Sequence, residues 1–107
     1  MLIVTMNDLP GYKITRVLGE VNGLTVRTRN VGAKIGASFQ AIGGGELKGL
    51  TKQLTESRQE ALARLTEAAS ALGANAVLAV RYDSNELAGT FQEILAYGTA
   101  AVVEPLS

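Results

Sequence analysis

An α+β fold, with an antiparallel sheet carrying two helices on one face, is the architecture this sequence predicts. Three observations point to it. Leu50, Leu54, Ala61, Leu62, Leu65, Ala68, Ala69 and Leu72 fall in steps of three and four, the apolar stripe of an amphipathic helix. That helix stops at Leu72-Gly73-Ala74-Asn75-Ala76 and gives way to a continuously apolar run ending at Arg81. Extended runs rich in β-branched residues lie on either side, at Tyr12–Val21 and Thr90–Val103.

Taken in order, Met1–Thr5 reads as a short strand closed by the turn signals Asn7-Asp8 and Pro10-Gly11. Tyr12–Val21 reads as a strand in which Gly19 breaks the alternation and suggests a bulge. Asn22-Gly23 carries the residue types of a type I′ turn, so a hairpin return is expected over Leu24–Thr28. Val31, Ile35, Phe39 and Ile42 share one face at helical spacing, with Thr28 or Asn30 as N-cap, which predicts a short helix before Gly43-Gly44-Gly45.

The longer helix then starts near Leu50. Its polar face carries Glu56, Glu60 and Arg64 at i,i+4 spacing. Gly73 stands where a left-handed C′ residue belongs. Ala76–Tyr82 is the following strand, Asp83–Gly89 a polar connection, and Thr90–Val103 the antiparallel return. Residues 1–107 make one domain, with no internal repeat.

Composition limits what this domain can bury. The apolar fraction of 47 % is mostly Ala, Val, Leu and Ile, with only Tyr12, Phe39, Tyr82, Phe91 and Tyr97 as aromatics. Burying a Val, Leu or Phe side chain contributes roughly 1.5–3 kcal/mol and burying Ala far less, so the core is thin for the chain that must be ordered. Burial against further copies would offset this, and a symmetric homo-oligomer is expected.

Net charge is zero but sorted along the chain: residues 1–45 carry +3, residues 46–81 carry +1, and residues 82–107 carry −4. No cysteine is present, so no disulfide framework exists. Met1–Thr5 lacks the basic region and long apolar run of a signal peptide, and no segment has the roughly 18 apolar residues of a membrane span. The expectation is a soluble cytoplasmic protein.

The sequence resembles the YbjQ-like family, small bacterial and archaeal proteins of unknown function. The resemblance covers essentially the whole chain. It rests on Ile3-Val4-Thr5 with Pro10-Gly11-Tyr12, the Gly43-Gly44 pair, Arg58–Leu62, Leu72-Gly73-Ala74-Asn75-Ala76-Val77, and Gly98-Thr99-Ala100-Ala101-Val102-Val103. It implies a dodecin-like subunit assembled as a homopentamer and a family label of heavy-metal binding, with no established site residues to carry over.

The residues sit badly with that label. Soft metals are held mainly by thiolate and imidazole, and the chain has no Cys and no His. Met1 and Met6 are the only sulfur donors. A divalent hard cation would need clustered oxygens, for which Asp83, Glu86 and Glu93, with Asn85, are the densest group; a solvated loop is the commoner meaning of such residues.

Arg27, Arg29 and Lys34 form an acid-free basic stretch suited to an anionic ligand, or to pairing with the acidic last quarter of another subunit. Three charges without interleaved aromatics do not suggest nucleic acid. The segment from Gly43 to Gly49 fails the P-loop spacing, because Lys48 precedes Gly49 and Thr51 follows two residues later.

Hydroxyls such as Ser38 and Ser57 and acids such as Glu56 and Glu60 have no imidazole beside them to act as base near neutral pH, and Gly36-Ala37-Ser38-Phe39-Gln40 lacks the second glycine of a nucleophile elbow. The sequence therefore favours a non-enzymatic, self-associating protein that binds a small ligand or ion. A small carboxylate and divalent-cation enzyme, or a pure scaffold, are the alternatives.

Overall fold

Four strands and one helix make up the described part of the chain, in the order β1 (Leu2–Ile3), β2 (Tyr12–Thr28), α1 (Lys48–Ala71), β3 (Ala76–Leu87) and β4 (Phe91–Pro105). The computed structural model describes residues 1–28, 48–89 and 91–107. The helix expected over Val31–Ile42 and the triglycine after it lie outside these residues.

The fold is α+β, but the sheet is mixed rather than antiparallel. Strand order is β1-β3-β4-β2, with β3·β4 and β4·β2 antiparallel and β1 parallel to β3. The parallel pair follows from connectivity: β1 and β3 are separated in sequence by β2 and α1, so the chain returns beside β1 running the same way.

Two local signals are overruled by tertiary pairing. The hairpin expected at Asn22-Gly23 does not form; β2 runs straight through, with Asn22 opposite Tyr97 and Gly23 opposite Ala96. Gly23 serves the helix instead. A Cβ there would run into the Ala61 carbonyl oxygen and the Leu65 amide nitrogen, and would stand 2.9 Å from Arg64 Cβ.

The polar connection expected over Asp83–Gly89 is likewise strand as far as Leu87, paired residue by residue down to Leu87 opposite Phe91. The chain reverses at Ala88 and Gly89, whose φ angles are 53° and 67°. The polar composition of Asp83–Glu86 reflects exposure of these residues, not an absence of pairing.

Other expectations hold. Gly19, at φ 112°, marks a register shift against β4. Helix α1 ends in a Schellman cap: Gly73 has φ 86°, its amide bonds Ser70 O at 3.0 Å, and the Ala74 amide bonds Ala69 O at 3.1 Å. Asn75 then prolongs the β3·β4 ladder with its side chain, donating from Nδ2 to Val103 O (2.9 Å) and accepting the Val103 amide at Oδ1 (2.8 Å).

The buried face of α1 is narrower than its apolar stripe. Ser57, Ala61, Leu65 and Ala69 are buried, whereas Leu72 is 50 % exposed. They pack on Val21, Ile94, Ala96, Ala100, Val77 and Val80, with Leu54, Leu62 and Ala68 partly buried alongside. Small residues at the contact let the helix sit close, so one row suffices to fill the space.

A second cluster, Leu9, Ala76, Leu78, Ala101 and Val103 with Val4 against it, is separate from the helix core. These residues gather around the β1 end of the sheet, while at the opposite end Leu24 and Val26 stand 41 % and 48 % exposed.

Two substitutions probe this packing. Leu65→Asp places an unpaired charge in a fully buried position, costs several kcal/mol, and should abolish the helical far-UV dichroism. Gly23→Ala should cost about 1–3 kcal/mol or more by overpacking, seen as a lowered denaturation midpoint; an unchanged midpoint would mean that the helix does not rest on Gly23.

Candidate functional site

Polar chemistry concentrates where the middle of α1, from Ser57 to Arg64, crosses β2 and β3. Alternation along β2 turns Val21, Gly23 and Thr25 toward the helix and leaves Leu24 and Val26 exposed on the opposite face. Arg27 shares the helix side, and its Nη2 bonds Glu60 Oε2 at 2.6 Å. Glu60 Oε1 receives Arg64 Nη2 at 2.6 Å, the i,i+4 partner expected from the sequence. Arg64 also donates from Nη1 to the Leu24 carbonyl. One carboxylate thus ties two arginines, one from each element, and the second arginine ties the helix back to the strand.

Beneath this cluster the buried Thr25 and Ser57 hydroxyls lie 2.9 Å apart, and Thr25 Oγ1 is within 3.3 Å of Ser57 O. The pairing satisfies both groups inside an apolar contact. Ser57 is therefore a structural hydroxyl and not an exposed nucleophile. Arg58 lies over the Tyr82 ring, its Cζ 4.4 Å from the centroid, a second cationic link between α1 and the sheet.

The Arg27 hydrogen bond, with the positive fields of Arg64 and Arg27 itself, holds the Glu60 carboxyl below its ordinary value of 4.5, against the opposing effect of desolvation. The arrangement clamps; it leaves Glu60 with no lone base character near neutral pH.

The residues singled out for binding are distributed unevenly. Arg27 is engaged by Glu60, while Arg29 and Lys34 lie outside the described residues, as do Ser38 and the glycine segment. Asp83 stands opposite Leu95 and Glu93 opposite Asn85, on one sheet face, whereas Glu86 stands opposite Gln92 on the other. Among the described residues no group of three or more His, Cys, Asp or Glu side chains is placed to hold a metal ion. Met1 and Met6 are both exposed.

Two contacts were not legible from residue spacing. Arg27 to Glu60 and Arg58 to Tyr82 each join elements whose relative register is set only by folding; the i,i+4 pair of Glu60 and Arg64 was the one available signal.

A family model described as "Putative heavy-metal-binding" matches residues 1–104. The chain belongs to this family, YbjQ. The resemblance drawn from its motifs is thereby borne out. Relatives of this YbjQ chain carry the name UPF0145 protein: one from Mycobacteroides abscessus is 58 % identical over 99 % of each chain. One from Streptomyces coelicolor is 57 % identical over 96 % of this chain and 97 % of that one. Another, from Sulfurisphaera tokodaii, is 54 % identical over 96 % and 90 %.

Among solved structures, a protein of unknown function of the DUF74 family from Pediococcus pentosaceus superposes with a TM-score of 0.68 over 97 % of this chain and 98 % of that one. At 18 % identity it supports the fold alone. No helix among the described residues is long and apolar enough to cross a membrane.

The clamp has a pH signature. Because the folded-state pKa of Glu60 is depressed, its contribution is present above the unfolded value near 4.5 and is lost as pH falls through the lower folded value. Glu60→Gln should be slightly less stable than the parent at neutral pH, and the difference should close as pH drops below 4.5, measured by urea midpoints across pH. The effect is small because the cluster is partly exposed. A gap that persists undiminished at low pH would show that the carboxylate charge is not the cause.

Proposed function

We propose that this YbjQ chain is a non-enzymatic subunit of a homo-oligomeric ring, a pentamer on the family resemblance, which binds a small ligand or ion where copies meet. The observation that carries the reading is the bare apolar surface of the subunit's far end. Leu24, Val26, Leu87 and Phe91 each stand 40 % or more exposed. These side chains share one face of the sheet end with the polar Asp83, Asn85 and Glu93, and exposed apolar residues rimmed by polar ones mark an interaction surface.

Shape supports it. The subunit measures 58 × 26 × 16 Å with a radius of gyration of 17.4 Å, against about 13 Å for a compact chain of this length. An elongated subunit buries less of its own surface, and assembly supplies the rest. The thin core and the sorting of positive charge to the first 45 residues and negative charge to the last 26 favour the same reading.

The ligand class follows from the donors. With no thiolate and no imidazole in the sequence, a hard ion or an oxygen-coordinated small molecule suits this chain better than the soft metals that the family description suggests. Asp83 and Glu93, on one face, are the carboxylates that symmetry would multiply. The enzyme alternative draws on the same residues, but Glu86 faces the other way, and no third carboxylate joins Asp83 and Glu93 among the described residues.

Native mass spectrometry of the untagged protein, purified without chelators, tests the reading. The expected result is a pentamer, with retained mass identifying the ligand. A monomer at micromolar concentration and physiological salt would overturn the proposal, and a pentamer that takes up Zn²⁺ or Cu⁺ in preference to Mg²⁺, Mn²⁺ or Ca²⁺ would overturn its ligand class.

A further inference from the structure

The two edges of the sheet are managed differently along their length. At the β1 end, strand β2 has register shifts between Ile14 and Arg16 and between Val17 and Gly19, and it carries Lys13, Arg16 and Glu20. Bulges and charges are the usual devices that stop an edge strand from pairing with another chain. From Glu20 to Thr28 the register against β4 is unbroken, and Val21–Val26 contains no charge and no proline. Its exposed side chains include Leu24 and Val26. Among the described residues this stretch has no bulge and no charge of its own, and Arg64 of the helix donates to its Leu24 carbonyl.

The opposite edge is divided at the same height. β1 and the segment after it cover β3 through Leu2 N to Asn75 O, Val4 N to Val77 O, Ala79 N to Met6 O and Val80 N to Val4 O. Past Val80 the Arg81 side chain turns back to Thr5 O. Among the described residues no further strand pairs with Arg81–Asn85, since the sheet order ends at β1.

These bare stretches are level with each other. Asn22 and Arg81 both stand opposite Tyr97, Leu24 and Asp83 opposite Leu95, and Val26 and Asn85 opposite Glu93. Since both are antiparallel to β4, they also run in the same direction. A rotation about an axis along the strands therefore brings β2 of one copy against β3 of the next with little translation. Head-to-tail contacts of that kind close into a ring when the rotation between copies divides a full turn, and build an open filament when it does not. Charge does not oppose the approach, for β2 carries no acidic residue over Val21–Thr28 and β3 carries Asp83 beside Arg81.

We infer that Val21–Val26 of one copy pairs in parallel with Arg81–Asn85 of the next, so that the sheet continues from subunit to subunit around the assembly. The inference rests on the proposed ring and adds which edges make it. Alternate residues of an edge strand turn both N–H and C=O outward, so the joint is made of main-chain hydrogen bonds with Leu24 and Val26 packed beside them. Arg64 reaches the Leu24 carbonyl from the helix side and would remain next to the joint.

The absence of native cysteine allows a direct test. Leu24→Cys is combined with Asp83→Cys or, one pleat along, with Asn85→Cys, and each protein is oxidised and run on a denaturing gel. Within one chain these positions are separated by β4, about 9–10 Å apart, beyond the roughly 4.4–6.8 Å that a disulfide spans. The expected result is a ladder of linked multimers from at least one double variant and none from the single variants.

Dimers from Leu24→Cys alone would mean that two β2 edges meet each other, which overturns the inference. So would an oligomer in native mass spectra that gives no ladder from either pair, although the ring itself would then stand. A monomeric parent would remove both. Hydrogen exchange on the unmodified protein provides a check free of substitutions: the outward amides of 21–26 and 81–85 should be protected in the assembly and exchange rapidly when it is diluted apart. Equal, rapid exchange in both states would also overturn the inference.

Discussion

The close seating of one helix on one strand is the constraint from which the rest of the structure follows. Gly23 lies directly under the α1 backbone, and Ala61 and Leu65 occupy the positions above it. At that separation a helix needs no large side chains to fill the gap, which is why a core built from Ala, Val and Leu with almost no aromatics is packed at all. Gly98 repeats the device within the sheet: a Cβ there would stand 2.8 Å from Val77 Cγ1 and 2.9 Å from Leu78 O, beside the β3 irregularity where Ala79 adopts φ 52°. Backbone approach substitutes for side-chain volume.

Such close packing stabilises only the ground it covers. At the β1 end the Leu9 and Val103 cluster adds a second core, but at the far end the strands extend beyond what one helix with small side chains can cover. There the links between helix and sheet are polar: the Glu60 carboxylate between two arginines, the Thr25 and Ser57 hydroxyl pair, and Arg58 over Tyr82. These links are directional, so they set where the helix lies along β2 without demanding more apolar area. They also lie on the helix side of the sheet, whereas Leu24 and Val26 are exposed on the other side.

What could be read from the sequence divides along the same line between local and distant interactions. The stop at Gly73 was legible because a left-handed cap depends on a few consecutive residues, and the α1 phase because its stripe repeats over many turns. Asn22-Gly23 carried an equally strong local signal and was overruled, since the glycine was needed for a contact some 40 residues away and β4 was long enough to hold β2 straight. Asp83–Glu86 looked like a loop because their side chains face water, although their backbones are paired. Leu72 fitted the apolar stripe and is half exposed, standing one residue past the end of α1 where the cap turns the chain away. The Glu60 clamp needed a strand-to-helix register that no spacing rule supplies, and only its Arg64 half was visible.

Among the described residues, the family description and the chemistry of a single copy do not meet. Strand alternation sends Asp83 and Glu93 to one face and Glu86 to the other, so the described residues of one copy bring no set of three ionisable ligands together. In the proposed ring, donors from neighbouring copies would have to complete any site. Ligand affinity is then thermodynamically linked to assembly: a ligand held by two copies stabilises the joint by mass action, and each closed joint raises the fraction of chains competent to bind. In such a ring a metal survey on dissociated subunits would report weaker binding than one on the assembled protein.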